Sequence, residues 1–222
     1  MAATSTAARN YAMDGRKSGT RAWLVPGHAN RGKPLFEILR EDFGRYYAAL
    51  KPLGPRIAVV RVLLTYGFIA VCVYRYGRWA KRIEPRWLSL PFKALYVLLY
   101  VPTELIFGIR ISVNSDIGPG LYIAHFGGIF LRCQAGRNLT VLQDVTIGSM
   151  GAGKSVGWPV LGSDIFIGAG AKLIGDISIG DGVVIGANTV VTKDIPAGMR
   201  VVGAAIRVTP MDDRHEETEV PS

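Results

Sequence analysis

Aliphatic residues recur every six positions over the C-terminal half of the chain, and a small residue, usually Gly, often follows. This period fits neither the spacing of a helix, about 3.6 residues, nor the simple alternation of a strand. The many Gly, Val and Ile residues also disfavour a helix. The pattern predicts a β-solenoid whose hexads each form a short strand and a tight corner around an aliphatic core. The register comprises Ile111, Ile117, Ile123, Ile129, Ala135, Val141, Ile147, Leu161, Ile167, Leu173, Ile179, Ile185 and Val191.

Two apolar runs precede the solenoid. The run 57–74 carries one charge, Arg61, and five Arg or Lys residues follow it within twelve positions, whereas the run 87–107 contains two prolines, Lys93 and Glu104. Neither is a clean span of about 20 uncharged residues. They fit either the buried helices of a soluble helical domain or helices in the headgroup region of a membrane. We favour peripheral membrane contact, because aromatic residues gather at the ends of both runs.

Charge and composition divide the chain into four parts. The net charge is +9, and residues 1–108 carry 17 Lys and Arg against 6 Asp and Glu. We expect a basic disordered tail over 1–34, a helical region with membrane contact over 35–108, the solenoid over 109–208 and an acidic tail over 209–222. No nucleic-acid motif accompanies the basic residues, and they border apolar runs. An anionic membrane surface is therefore expected rather than nucleic acid, with a solvated basic tail as the alternative.

Cysteine usage and the N-terminus indicate a cytoplasmic protein. Cys72 and Cys133 lie in apolar or repeat contexts and form no disulfide framework. Residues 1–24 lack the apolar run of a secretory signal. Together with the apolar runs, this predicts a location at the inner face of the cytoplasmic membrane.

His125 is the candidate catalytic residue. His28 and His215 lie in the tails, whereas His125 lies within the repeat, in the sequence IAHFGG. A lone histidine is more often structural. An imidazole that titrates near neutral pH nevertheless suits a general base that removes the proton of a hydroxyl nucleophile.

The repeat region resembles the hexapeptide-repeat acyltransferases, which have a left-handed parallel β-helix, and more narrowly their serine acetyltransferase branch. The likeness covers roughly residues 70–208 and is carried by IGPGLYIAHFGGIFL, VLQDVTIG, IGAGAKLIGDISIGDGVVIGANTVVTKDIPAG and VVGAAIRV. The resemblance implies three hexads per triangular coil and a homotrimer with active sites between neighbouring solenoids. It also implies acetyl-CoA as co-substrate and no metal.

The resemblance implies roles for individual residues as well. His125 matches the general base of the family, and the loop 148–160 matches its active-site loop. That loop contains a GxxxxGK[ST] phosphate-loop pattern, but Gly and Pro follow instead of the required helix. The residues expected to contact the acyl donor are Gly148, Ser149, Met150, Lys154, Ala169, Lys172, Ala187, Lys193 and Arg207.

Four positions depart from the serine enzymes. The aspartate 15 residues before the histidine is Arg110 here, the aspartate directly before it is Ala124, and an Arg-His pair is Gly157-Trp158. In the serine enzymes these groups hold serine or orient the base, and they are missing here. We therefore expect the acceptor to be a sugar hydroxyl of bacterial exopolysaccharide biosynthesis. The residues expected to contact it are Trp158, Arg110 and Asp144. The alternatives are a serine O-acetyltransferase of cysteine biosynthesis and a non-catalytic solenoid scaffold anchored at a membrane.

Overall fold

The computed structural model describes residues 33–85, 87–149 and 157–203. The predicted acidic tail and nearly all of the predicted basic tail lie outside these residues. Within them the chain begins with helices α1 (Leu35–Leu50), α2 (Pro55–Leu64), α3 (Tyr66–Lys81) and α4 (Leu90–Phe107). A 3-10 turn over Lys51–Leu53 connects α1 to α2. The prolines at the starts of α2 and α4 have a fixed φ that suits the first turn of a helix.

Fourteen short strands follow in the described residues, and every strand pair is parallel. They are β1 (Ile109–Ile111), β2 (Asp116–Ile117), β3 (Tyr122–Ile123), β4 (Ile129–Leu131), β5 (Gln134–Ala135), β6 (Thr140–Val141), β7 (Thr146–Gly148), β8 (Val160–Leu161), β9 (Phe166–Ile167), β10 (Lys172–Ile174), β11 (Ser178–Ile179), β12 (Val184–Ile185), β13 (Val190–Val191) and β14 (Arg200–Val201). They form three sheets, in the orders β1-β4-β7-β10-β13, β2-β5-β8-β11 and β3-β6-β9-β12-β14. Each strand therefore pairs with the strand three positions later in most of the solenoid. The result is a parallel β-solenoid of about five turns after a helical region, which confirms the predicted fold class.

The hexad register fills the core, with one displacement. The predicted inward residues are all buried, but Leu131 and not Ile129 lies beside Ile147 of the next coil. Leu131 also pairs with Ile111 of the previous coil, whereas Ile129 pairs with Ile109. The predicted register is therefore wrong by two residues at this point. The two extra residues lie in the turn between β3 and β4, which contains the candidate catalytic histidine.

The helices are joined to the first coil by buried polar contacts. Arg75 is 3% exposed, and its guanidinium donates to the carboxylate of Asp42 and to the carbonyls of Ile117 and Gly118. Arg78 donates to the carbonyl of Ser115 and to the Asp116 carboxylate. Arg75 and Arg78 belong to the basic residues that border the first apolar run, and both guanidinium groups bind the solenoid.

Candidate active site

His125 lies exposed in the widened turn between β3 and β4. Gly127 and Gly128 in this turn have φ values of 95° and 66°, which residues other than Gly rarely adopt. The Gly127 amide donates to the carbonyl of Phe107, the last residue of α4, at 2.9 Å. These contacts hold the turn against the helical region while the imidazole remains accessible to a substrate.

Side chains of α1 hold the strand that leads into His125. The Tyr46 hydroxyl accepts a hydrogen bond from the Ile123 amide at 2.8 Å and donates to the Ile123 carbonyl at 3.3 Å. Burial raises the pKa of Tyr46, so the phenol keeps the proton that it donates. One oxygen of Asp42 accepts the amides of Gly120 and Leu121 at 2.7 and 2.8 Å. Sequence reasoning missed both residues, although an acid and a tyrosine four positions apart on one helix face were a usable signal.

Asp144 lies beside the His125 turn, one coil further on. Its amide donates to the Gly127 carbonyl at 2.9 Å, and a β-carbon placed on Gly128 would come within 2.9 Å of its Oδ1. The carboxylate pairs with the Lys172 ammonium at 2.9 Å. In the described part of the chain, the His125 imidazole makes no hydrogen bond to a carboxylate. The structure thus places Asp144 and Lys172 together next to the turn. The expected contact between Lys172 and the phosphates of coenzyme A stays a prediction.

The predicted acceptor residues Arg110 and Trp158 are engaged with neighbours. Arg110 pairs with Glu104 of α4 at 3.2 Å, and its guanidinium carbon lies 5.7 Å from the centre of the Phe130 ring. The Arg132 guanidinium carbon lies 3.6 Å from the centre of the Trp158 ring. One face of Trp158 is therefore covered, and a contact to a sugar remains a prediction for the rest of the ring.

Gly157 has no room for the arginine found in the serine enzymes. A β-carbon at this position would come within 2.2 Å of the Asp176 β-carbon. Separations below about 3 Å require the backbone or the neighbouring side chain to move. The packing of the adjacent coil therefore requires a glycine at position 157.

The predicted donor residues lie along several coils. Ala169 and Ala187 are in adjacent coils, where the Asn188 amide donates to the Ala169 carbonyl at 2.8 Å. Gly148 ends β7 and accepts the Gly175 amide at 2.9 Å, and Ser149 follows it half-buried. Lys193 is exposed after β13. The other three predicted donor residues, Met150, Lys154 and Arg207, lie outside the described residues.

Neither cysteine is suited to act as a nucleophile. Cys133 lies in the solenoid core, and burial raises its pKa to about 12, while burial raises the pKa of Cys72 to about 11. Both thiols are therefore protonated near neutral pH, whereas the thiolate is the reactive form. Among the described residues, no group of three or more His, Cys, Asp and Glu side chains is arranged to hold a metal ion.

Comparison with known proteins relates this solenoid to acyltransferases. Residues 159–193 match the family described as bacterial transferase hexapeptide (six repeats). The chain is 35% identical over 147 residues to a serine acetyltransferase of Bacillus subtilis. The aligned residues cover 65% of the chain and 64% of the relative. A serine acetyltransferase of Staphylococcus xylosus is 37% identical over 79 residues, covering 35% of the chain and 37% of the relative.

Solved structures show the same similarity. Serine acetyltransferase from Brucella abortus in complex with coenzyme A has a TM-score of 0.64 at 26% identity, covering 78% of the chain and 66% of that protein. The soybean enzyme complexed with serine has a TM-score of 0.61 at 27% identity, covering 78% of the chain and 70% of that protein.

These matches and the solenoid make the chain similar to the hexapeptide-repeat transferases. Among the curated relatives, the similarity is to serine acetyltransferases. The chain spans somewhat less than two thirds of the Bacillus subtilis relative. The comparisons provide no support for the narrower expectation of an exopolysaccharide O-acetyltransferase.

Proposed function

We propose that the protein is an acetyl-CoA-dependent O-acetyltransferase in which His125 is the general base. The observation that carries this proposal is the position of His125, exposed in a widened turn whose backbone is held by Tyr46 and Asp42. The similarity to serine acetyltransferases, one of them in complex with coenzyme A, supports the donor. A fixed turn with a solvent-accessible imidazole is what general base catalysis needs.

In this mechanism, the neutral His125 imidazole takes the proton of the acceptor hydroxyl as its oxygen attacks the thioester carbonyl carbon. The carbon–sulfur bond then breaks, and the coenzyme A thiolate leaves with the proton that His125 carried. The acetyl group passes directly to the acceptor. This route requires no covalent acyl-enzyme, in agreement with the protonated state of Cys72 and Cys133.

L-Serine is the acceptor that the comparisons favour, because the relatives described above are all named serine acetyltransferases. This is the alternative that sequence analysis placed second. With L-serine as the acceptor, the protein would supply O-acetylserine for cysteine biosynthesis.

A sugar hydroxyl is the second candidate acceptor, and the site provides one specific observation in its favour. In the serine enzymes, carboxylates precede the histidine, whereas Arg110 and Ala124 occupy those positions and Gly157 cannot carry an arginine. A zwitterion bound without partners for its charges loses several kcal/mol on desolvation, on the order of 100-fold or more in affinity.

A direct assay separates the two acceptors. Purified full-length protein is incubated with acetyl-CoA and either L-serine or a cell-envelope saccharide fraction, and free thiol and acetylated product are measured. Formation of O-acetylserine supports the first candidate, and acetylated saccharide without O-acetylserine supports the second. If neither acceptor raises coenzyme A release above the rate measured without an acceptor, both candidates are contradicted.

Assembly and location belong to the same proposal. A homotrimer is supported by the solenoid itself, whose three flat sheets offer long faces for symmetric pairing. A site in the cytoplasm at the inner face of the membrane is supported by the exposed apolar helices of the N-terminal region.

A further inference from the structure

The outer face of α4 is apolar along its whole length. The two charged residues of this helix, Lys93 and Glu104, are only half exposed, while none of its fully exposed residues carries a charge. A surface helix of a water-soluble protein has the opposite arrangement, with its apolar side inward. We call the exposed residues the apolar helix face: Leu90, Pro91, Ala94, Leu95, Val97, Leu98, Leu99, Val101, Pro102, Leu105 and Ile106.

The size of this face calls for a partner. Leu98 is 68% exposed and Leu105 is 78% exposed. The 18 residues of α4 extend about 27 Å. Among the described helices, α4 is long and apolar enough to cross a membrane, and α2 with α3 passes the same test as a pair bent by 62°. Monomeric soluble proteins seldom expose a continuous apolar surface larger than a few hundred Å².

The inner side of α4 is packed closely on α3. Gly77 of α3 leaves room for the Tyr96 ring, since a β-carbon there would come within 2.3 Å of the ring. The Tyr76 hydroxyl donates to the Phe92 carbonyl at 3.2 Å. Because α3 in turn packs on the solenoid core through Val71 and Tyr74, α4 has one side held by protein and one side free. This arrangement suits a helix that lies on a bilayer rather than one that crosses it.

The basic residues exposed on α2 and α3 favour anionic lipid over a second copy of the chain as the partner of the face. Exposed arginines, Arg56 and Arg61, alternate with exposed aliphatic residues on α2, and Lys81 and Arg82 are exposed at the end of α3. Two copies of a chain with these cations would repel each other, whereas anionic headgroups would neutralise the charges. Trp87, 71% exposed just before α4, is a residue type enriched at the lipid–water boundary.

The face ends at the candidate active site. The ring of Phe107, the last residue of α4, lies 4.7 Å from the ring of Tyr66, centre to centre. Tyr66 in turn meets Phe126 edge-on at 5.3 Å, and Phe126 directly follows His125. A continuous set of aromatic contacts therefore joins the end of α4, next to the apolar helix face, to the His125 turn.

We propose that the apolar helix face docks on an anionic lipid bilayer and that docking brings the His125 turn to the level of the headgroups. Docking of this kind goes beyond the proposed activity and does not depend on it. An acceptor delivered from the membrane surface would then reach the base without leaving the headgroup region.

Vesicle co-sedimentation of the full-length protein tests this proposal. Vesicles of phosphatidylcholine with phosphatidylglycerol should bind the protein, and vesicles of phosphatidylcholine alone should bind it more weakly. Leu98→Glu and Leu105→Glu should each weaken binding at least about tenfold, because they place a charge in the face. Val190→Glu is the matched control, since Val190 is 65% exposed but lies on the solenoid strand β13. Equal binding of all four proteins would overturn the proposal.

Two further measurements distinguish the other outcomes. Brominated phosphatidylcholine should quench part of the tryptophan fluorescence, and Trp87→Phe should remove that part. Absence of vesicle binding, together with a larger oligomer that Leu98→Glu dissociates in sedimentation velocity, would show that a second copy covers the face instead. His125→Ala should bind vesicles like the unaltered protein, so a failure of the proposed activity leaves this test intact.

Discussion

Asp42 and Arg75 form a buried ion pair at 2.9 Å between helices α1 and α3, and both bind the backbone of the first coil. Asp42 accepts two amides of the segment that leads to β3, and Arg75 donates to two carbonyls of the same segment. The pair thus replaces backbone partners that a preceding coil would supply. It closes the open end of the solenoid directly before the His125 turn.

Asp42→Ala should lower the free energy of unfolding by about 3–5 kcal/mol, because the Arg75 charge would remain buried without its partner. Arg137→Ala is the matched control, as it removes the exposed ion pair with Glu41 and should cost less than about 1 kcal/mol. Urea denaturation monitored by circular dichroism measures both values. Equal losses for the two variants would contradict the structural role of the buried pair.

Tyr46→Phe should reduce kcat while leaving KM for acetyl-CoA nearly unchanged. The variant removes both hydrogen bonds to Ile123, two residues before His125, and should cost about 1–3 kcal/mol of stability. Tyr47→Phe is the control, since no hydrogen bond of the Tyr47 hydroxyl occurs among the described residues. Steady-state kinetics of the two folded variants measure kcat and KM. An equal kcat for both would show that Tyr46 does not position the turn.

The free energy of unfolding should fall as pH rises above 9. In the unfolded chain Cys133 loses its proton near its ordinary pKa of 9, whereas in the folded chain burial holds that pKa at about 12. Between these values the unfolded state binds fewer protons, so stability decreases by up to about 1.4 kcal/mol per pH unit for this group. Cys133→Ala should have a shallower pH dependence in urea titrations from neutral pH to pH 10. Parallel curves would show that Cys133 ionises equally in both states.

Ala187→Leu should raise KM for acetyl-CoA at least about tenfold, equivalent to about 1.4 kcal/mol of binding. The reason is the predicted path of the pantetheine arm past Ala169 and Ala187, which a bulky side chain would obstruct. Gln134→Leu is the control, because Gln134 is exposed on another sheet of the solenoid. If initial-rate measurements find the same KM for both variants, the donor does not pass Ala187.

Much of the solenoid was predictable because an inward aliphatic residue and a small corner residue recur with a fixed period. The displacement at Ile129 was not predictable, since Ile129 keeps the six-residue spacing and is as apolar as Leu131. The ion pair of Asp42 with Arg75 was missed because the partners are 33 residues apart and no local period links them. Arg75 stands at the end of an apolar run, where a basic residue is equally typical of a membrane boundary.

The candidate site was predictable in part. His125 was selected by elimination and by resemblance, and the structure adds that its turn is two residues wider and held by α1. The engagement of Trp158 by Arg132 and of Lys172 by Asp144 depends on contacts between coils, which spacing along the chain does not reveal. For the same reason, the collision that excludes a side chain at Gly157 could be recognised only from the position of Asp176.

Replacement of His125 tests its proposed role as the base of an acetyl-CoA-dependent O-acetyltransferase. The rate of coenzyme A release is compared for the purified full-length protein and for His125→Ala, each with acetyl-CoA and whichever acceptor, L-serine or saccharide, supports turnover of the unaltered protein. Turnover should fall roughly 100- to 10,000-fold in the variant, while coenzyme A binding, measured by calorimetry, stays unchanged. Undiminished turnover in a folded His125→Ala protein would show that His125 is not the base.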